Sequence, residues 1–235
     1  MKIAIMQPYL FPYIGYFQLM KYADVFVIYD DVQYINRGWV NRNRVLNNGQ
    51  PFLFTMSLRK DSSLLAINER CFSSEFEKEK EKFLKSLSYF YSKAPYYEET
   101  ISLIQEIFSY NNLNIAQFLT NQLKKICAYL EIDTSIILSS ETNRDRTLRG
   151  EDAIIDIVKR LEGREYINPI GGIELYSKDK FCENNIELFF LESKEIQYQQ
   201  FKRETFVPFL SIIDVLMFNS REDAVSLLKQ YELKC

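Results

Sequence analysis

The first thirty residues hold the pattern that most restricts the fold, because a strand, a loop, a helix and a second strand follow one another directly. Residues 2–6 (KIAIM) are a short apolar run that ends at a Gln-Pro step, and residues 25–29 (VFVIY) are a second one. Residues 14–22 between them have helical spacing of apolar positions. A βαβ unit of this kind has parallel strands and a right-handed crossover. The sequence therefore predicts an α/β protein with a Rossmann-like, mostly parallel sheet flanked by helices.

Further apolar segments extend this pattern along the 235 residues. An Asn-Asn-Gly-Gln turn at 47–50 predicts a hairpin whose second strand is 52–58. No linker, repeat or low-complexity stretch interrupts the chain, so we expect one domain, 1–235, with a helical insertion at roughly 75–130. The remaining predicted strands are 135–138 and 187–191, and the remaining predicted helices are 75–87, 98–108, 114–130, 152–161, 211–217 and 222–230.

The chain has no histidine, which restricts its chemistry more than any motif does. Ser-His-Asp and Cys-His catalysis are excluded, and so is any zinc site that needs imidazole. Proton transfer must use Asp, Glu, Lys, Tyr, Cys, a bound water or the substrate itself.

Charge and cysteine content restrict the compartment and the partners. The net charge of −3 disfavours nucleic acid as a partner, since phosphate binding usually needs a basic surface. The four cysteines are widely spaced, and the apolar run at 3–6 is too short for a signal peptide or a membrane span. We expect a cytoplasmic protein with reduced thiols, no metal site and a small-molecule substrate. The sequence identifies no cofactor, and it leaves open whether the chain forms a homodimer.

Polar residues follow both strands of the first βαβ unit. Gln7 begins a stiff loop that contains Tyr13, and Asp30 and Asp31 follow the second strand. Ligands of such sheets bind beyond the carboxyl ends of the strands, so these groups should meet at one site. Paired carboxylates there can accept sugar hydroxyls, bind a metal or act as a general base. Alternatively, the loop is a rigid aromatic turn and the carboxylates are caps.

Residues 37–44 combine three arginines, two asparagines and the single tryptophan. Guanidinium groups bind phosphate or carboxylate, and the indole offers a face for stacking. This mixture suits an anionic ligand with a ring, such as a sugar nucleotide. The alternatives are a salt-bridged surface hairpin and an RNA-binding patch.

Two later segments are weaker candidates. Gly171 and Gly172 form a Pro-x-Gly-Gly loop, which is more often a turn than a phosphate-binding loop. Ser211 and Asp214 lie at a predicted helix start, where a capping role is more frequent than a catalytic one.

These motifs together resemble the WbqC-like protein family. The likeness includes AIMQPYLFPYIGYF, YDDVQY and RGWVNRN near the start, and YINPIGGIELY and LSIIDVLMFN later, in that order. It implies surface-polysaccharide biosynthesis, because members occur in bacterial O-antigen and related gene clusters. Many members carry histidine where this chain has Met6-Gln7, which excludes a histidine-based mechanism here.

A second likeness is to HxGH nucleotidyltransferases. Tyr13 and Tyr16 stand where both histidines of that loop would be, and Ser139, Ser140 and Arg144 are similar to their Ser-Ser-x-x-x-Arg element. This likeness implies the Rossmann-like topology and, as an alternative function, an enzyme that uses NTP and Mg²⁺.

The predicted function is a transferase of O-antigen, capsule or lipopolysaccharide biosynthesis that moves an acyl or aminoacyl group onto a nucleotide-activated amino sugar. A free sugar amine is already a nucleophile and needs only positioning, which suits a site without histidine. The other alternative is a non-catalytic sugar-nucleotide-binding or scaffold protein. Asp30 and Asp31 are the predicted catalytic residues. The predicted substrate-binding residues are Gln7, Tyr13, Gly15, Tyr16, Gln33, Arg37, Trp39, Asn41, Arg42, Asn43, Arg44, Gly171, Gly172, Ser211 and Asp214.

Overall fold

A computed structural model describes residues 1–201 and 205–235 of the chain. These residues form a six-stranded sheet and a separate two-stranded hairpin. The strands are β1 (Lys2–Met6), β2 (Val25–Ile28), β3 (Arg42–Asn47), β4 (Gln50–Thr55), β5 (Ser135–Leu138), β6 (Glu165–Pro169), β7 (Glu187–Ser193) and β8 (Tyr231–Lys234).

The sheet has the order β5-β2-β1-β6-β7-β8, and only β8 is antiparallel to its neighbour. The chain moves outward from β1 through β2 to β5, then returns to the centre and moves outward again from β6. This is the doubly wound order of the Rossmann fold, whose direction reverses between the two central strands. The predicted fold class is confirmed, and so is the parallel pairing of the first two strands, with Ile3 opposite Val25.

Helices cover both faces of the sheet. They are α1 (Ile14–Tyr22), α2 (Phe76–Tyr91), α3 (Tyr97–Phe108), α4 (Ile115–Tyr129), α5 (Gly150–Arg160), α6 (Lys178–Glu183), α7 (Ile212–Phe218) and α8 (Arg221–Leu227). Side chains cap the N-termini of several helices. At the start of α4, for example, the Asn114 side chain accepts a hydrogen bond from the Gln117 amide. Three 3-10 segments are Ile67–Glu69, Ser139–Glu141 and Ile170–Leu175.

The two faces of the sheet bury different side chains because residues alternate along a strand. Ala4 and Phe26 face a large core that includes the hairpin, α1, α2, α3, α4 and α7. Ile3 and Ile5 face a smaller core with α5 and α6, where Ile154 is buried. The helices between β4 and β5 therefore share one core with the sheet.

Some predicted bounds were wrong and two strands were missed. The hairpin turn is tighter than expected, so β4 begins at Gln50 and ends at Thr55 rather than spanning 52–58. The sequence pattern predicts no strand at residues 165–169, yet these residues form the central strand β6, which ends at Pro169. Strand β8 was missed because its residues alternate weakly and lie mostly exposed.

Candidate functional site

The principal cavity lies at the carboxyl ends of β1 and β6, where the direction of the sheet reverses. Its volume is about 930 Å³. We call it the switch-point cavity, because doubly wound sheets bind their ligands at this position. Its walls come from the loops after β1, β2 and β6, the segment before β3, and the start of α5. The predicted residues that line it are Gln7, Tyr13, Trp39, Asn43, Gly171 and Gly172.

The loop after β1 is held rigidly by hydrogen bonds. Asn43 Nδ2 donates to the carbonyl oxygens of Leu10 at 2.9 Å and Phe11 at 2.6 Å. The Tyr16 hydroxyl donates to the Gln7 carbonyl at 3.2 Å, and the Tyr9 hydroxyl accepts from the amide of Tyr13 at 3.0 Å. Burial raises the pKa of Tyr9 to about 12, so that hydroxyl stays protonated. The loop therefore presents Gln7 and Tyr13 on a fixed backbone.

Trp39 lines the cavity, whereas the three predicted arginines near it in the sequence do not; we call Arg37, Trp39, Arg42 and Arg44 the arginine lip. Trp39 is 45% exposed, and the guanidinium carbons of Arg44 and Arg42 lie 4.9 and 5.6 Å from its ring centroid. Arg42 Nε also donates to the Gly38 carbonyl at 2.8 Å. Within residues 1–201 and 205–235, none of the three arginines forms a salt bridge. Their charges are available to an anionic ligand.

Asp30 is buried at the end of β2 and accepts hydrogen bonds on both oxygens. Its Oδ1 accepts from the Ser140 amide at 3.0 Å, and its Oδ2 accepts from the Ser140 hydroxyl at 2.7 Å and Asn68 Nδ2 at 3.0 Å. The Ser139 hydroxyl lies 2.9 Å from Oδ1. This carboxylate joins the end of β2 to the 3-10 segment after β5.

Asp31 forms a buried salt bridge with Arg144. Their side chains are 5% and 4% exposed, and Arg144 Nε lies 2.8 Å from Oδ2. Arg146 is more distant, at 3.8 Å, and is exposed. The Ser-Ser-x-x-x-Arg element that is similar to a phosphate-binding motif is thus hydrogen-bonded to Asp30 and Asp31. Whether either carboxylate takes part in a reaction stays a prediction.

A second, polar cavity of about 480 Å³ lies beside these carboxylates. Asn68, Glu69 and Arg146 contribute to its wall. Glu69 accepts a hydrogen bond from the Ala66 amide at 2.8 Å, so its carboxylate helps to fold the loop after β4.

On the β6 side of the switch-point cavity, the backbone at Gly172 lies close to the side chain of Asn168. A Cβ on Gly172 would lie 2.0 Å from Asn168 Nδ2, whereas a Cβ on Gly171 would meet nothing within 4 Å. Asn168 is fixed in turn, because its Oδ1 accepts from the Tyr166 hydroxyl at 3.2 Å. Burial raises the pKa of Tyr176, which also lines the cavity, so its hydroxyl stays a donor.

Ser211 and Asp214 are buried away from the switch-point cavity. The Ser211 side chain caps α7 by accepting from the Ile213 amide, which agrees with the capping alternative. The Asp214 carboxylate accepts hydrogen bonds from the hydroxyls of Tyr91 and Tyr198 and from Gln200 Nε2, each at 2.7 Å. Burial raises its pKa.

Three further predicted residues support the loops rather than line the cavity. Asn41 accepts from the Tyr34 hydroxyl at 2.9 Å and donates to the Met56 carbonyl at 2.7 Å. Gln33 Nε2 donates to the Ser63 carbonyl at 2.9 Å. Gly15 lies against the ring of Tyr13, where a Cβ would approach to 3.0 Å.

Several cavity residues were not predicted from the sequence. A strand prediction for residues 165–169 would have identified Asn168 and Tyr176 as candidates, because ligand-binding residues lie at and beyond the carboxyl ends of parallel strands. No sequence pattern marks Phe209 as a cavity residue. In the structure it adopts a left-handed φ of 58° and is 73% exposed. The cavity residues that the sequence did not identify include Tyr29, Arg149, Glu151, Asn168, Tyr176 and Phe209.

The described residues contain neither a membrane-spanning helix nor a cluster of metal-binding side chains. None of the helices formed by residues 1–201 and 205–235 combines the length and the apolarity needed to cross a membrane. The same residues contain no group of three or more Cys, Asp and Glu side chains arranged to hold a metal ion.

Comparison with known proteins supports one family. The chain is 26% identical over 233 residues to the "Uncharacterized protein Rv1507c" of Mycobacterium tuberculosis (strain ATCC 25618 / H37Rv), with 97% of each chain covered. No solved structure gives a significant match. The sequence model of the WbqC-like protein family matches residues 7–226, which is most of the chain. The chain therefore belongs to the WbqC-like protein family.

Proposed function

We propose that this protein is a transferase of bacterial surface-polysaccharide biosynthesis that places an acyl or aminoacyl group on the amine of a nucleotide-activated amino sugar. The observation that carries the proposal is the position of the switch-point cavity, which lies at the ends of β1 and β6 and is lined by Trp39, the ring that Arg42 and Arg44 cover. Doubly wound sheets bind nucleotides at this position.

The arginine lip supplies the contacts that a sugar nucleotide needs. Arg42 and Arg44 bind the two phosphates, and Trp39 stacks on the base or the sugar ring. Gln7 lines the cavity directly after β1 and positions sugar hydroxyls. The reaction needs little acid–base help, because the amine attacks the acyl carbonyl once both are held in contact.

Asp30 and Asp31 enter the proposal as positioning residues. A role as general base would require a carboxylate that is free to take a proton, but their oxygens accept hydrogen bonds from Ser140, Asn68 and Arg144. Their part in the site is to fix the end of β2 beside the cavity.

Isothermal titration calorimetry with uridine and thymidine diphosphate amino sugars tests this function. We expect wild-type binding and a loss of about tenfold or more for Arg44→Ala and for Trp39→Ala, since charge-assisted and stacking contacts each contribute above 1 kcal/mol. Arg164→Ala is the matched control, because this exposed arginine directly precedes β6 at the opposite end of the strand. Unchanged affinity in both lip variants would show that the site is elsewhere.

A non-catalytic sugar-nucleotide-binding protein is the second candidate, and the engagement of both carboxylates favours it. Both candidate functions predict that the protein binds a sugar nucleotide, but only the transferase converts it to a product. Mass spectrometry of the sugar nucleotide after incubation with acyl and aminoacyl donors separates them: a mass increase that depends on the protein supports the transferase.

A further inference from the structure

The switch-point cavity is more apolar than a sugar nucleotide alone requires. Ile5, Val32 and Ile154 contribute to its walls, and the hydroxyl-rich face of a sugar would leave them without a complementary partner. The polar side chains beside them are largely committed within the protein. Asn168 bonds to Tyr166, and Glu151 accepts from the Ser177 amide and pairs with Lys180.

Large apolar side chains also stand exposed around the mouth of this cavity. Ile35, Leu175 and Phe209 line the cavity and are each more than half exposed. Phe209 adopts a left-handed backbone conformation, which is costly for an aromatic residue, and its ring lies 5.7 Å from that of Tyr13. Exposed apolar groups that continue into an apolar cavity mark a binding site for an apolar ligand.

The volume of the cavity leaves room for such a group. At about 930 Å³, it is near the upper end of the range for pockets that enclose a drug-sized ligand. Trp39 of the arginine lip lines the cavity from the segment before β3, while Leu175 belongs to the 3-10 segment after β6. An anionic head and a hydrocarbon chain can therefore occupy different walls.

We propose that the apolar wall of the switch-point cavity holds the hydrocarbon chain of an acyl thioester, which is the donor in the transfer. This inference rests on the proposed function and selects acyl over aminoacyl transfer. The sugar amine attacks the thioester carbonyl carbon, so a carbon–nitrogen bond forms and the carbon–sulfur bond breaks. The departing thiolate takes up the proton that the nitrogen loses, and the products are an N-acyl sugar nucleotide and a thiol.

Calorimetry with acetyl-, octanoyl- and dodecanoyl-coenzyme A tests the inference, with free coenzyme A as the reference. We expect affinity to rise with chain length, by up to roughly fourfold for each methylene that becomes buried. Leu175→Ser and Phe209→Ser should each reduce the preference for dodecanoyl over acetyl by about tenfold. Both residues are exposed, so the variants should fold.

Leu64→Ser is the matched control, because Leu64 is 78% exposed and does not line the cavity. Chain-length preference that survives in Leu64→Ser but not in Leu175→Ser supports the inference. Equal affinity for all chain lengths, or an equal loss in the control, overturns it. If chain length has no effect while sugar nucleotides still bind the wild type, only the donor assignment fails; if the sugar nucleotides do not bind, the proposed function fails.

Discussion

Two charged segments follow one another in the chain after β2, but they are used in opposite ways. Asp30 and Asp31 are buried, and their oxygens accept hydrogen bonds from groups on the β5 side of the site. Arg42 and Arg44 are on the hairpin, and within the described residues they form no salt bridge. Burying a charge is costly unless it is paired, so the first segment stabilises the fold and the second is free for a ligand.

The same contrast occurs between neighbours on β3. Asn43 points inward and holds the loop after β1, whereas Arg44 points outward over Trp39. Alternation along a strand places them on opposite faces. A polar sequence motif can therefore contain both side chains that are hydrogen-bonded within the protein and side chains that can bind a ligand. Only the structure separates the two kinds.

Breaking the buried salt bridge should have the largest effect. Asp31→Ala leaves Arg144 as an unpaired buried cation, which should lower the free energy of unfolding by about 3–5 kcal/mol. Glu106→Ala removes one side of the exposed pair with Lys125 and should cost less than about 1 kcal/mol. Urea denaturation measures both variants. Similar losses in the two would show that Asp31 does not stabilise the fold in this way.

Asn43 and Arg44, which are neighbours on β3, should affect stability and ligand binding in opposite ways when each is replaced by alanine. Asn43→Ala removes the donor to the Leu10 carbonyl, and it should destabilise the protein by about 1–3 kcal/mol. Arg44→Ala should change stability by less than about 0.5 kcal/mol and instead weaken sugar-nucleotide binding. Thermal denaturation and calorimetry on both variants check this separation. A destabilised Arg44→Ala protein would contradict it.

Much of the fold could be predicted because its signals are local. The strand–helix–strand pattern gave β1, α1 and β2 almost to the residue, and the turn at 47–50 gave the hairpin. Strand β6 is hard to predict because its apolar run is short, it ends at a proline, and two glycines lie shortly after it; these residues usually indicate a loop. The register and the antiparallel edge strand β8 depend on contacts between residues that are distant in sequence.

The position of the switch-point cavity was easier to predict than the contacts of the residues near it. The rule that ligands bind beyond the carboxyl ends of parallel strands points to the edge at which this cavity lies. That Asp30 is hydrogen-bonded by Ser140, and Asp31 by Arg144, could not be read from residues more than one hundred positions apart. The exposed conformation of Phe209 depends on how the segment before α7 packs, for which no local pattern exists.

The two adjacent glycines after β6 give a smaller, matched test of the cavity wall. Gly172→Ala forces Asn168 to move, which breaks its 3.0 Å hydrogen bond to the Pro169 carbonyl, and should cost about 1–3 kcal/mol. The Cβ of Gly171→Ala would meet nothing within 4 Å, so this variant should leave stability unchanged. Equal effects in the two variants would show that the close approach at Gly172 does not shape the cavity.

The buried carboxylates themselves can be compared by pH, with the smallest expected effect. Asp31 pairs with a guanidinium, whereas within residues 1–201 and 205–235 the donors to the Asp214 carboxylate are uncharged, and burial raises the pKa of Asp214. The folded protein thus binds this proton more tightly than the unfolded chain does. The contribution of the protonated Asp214 to the free energy of unfolding is complete below the ordinary pKa of 3.8. It is lost as the pH rises through the raised pKa of the folded state. Because Asn does not ionise, the stability of the wild type relative to Asp214→Asn should fall between pH 3.8 and the raised folded pKa, by at most about 1.4 kcal/mol per pH unit, and stay constant at higher pH. Denaturant titrations across pH measure the difference, and a difference that rises with pH would mean that the buried carboxylate is stabilised as the anion.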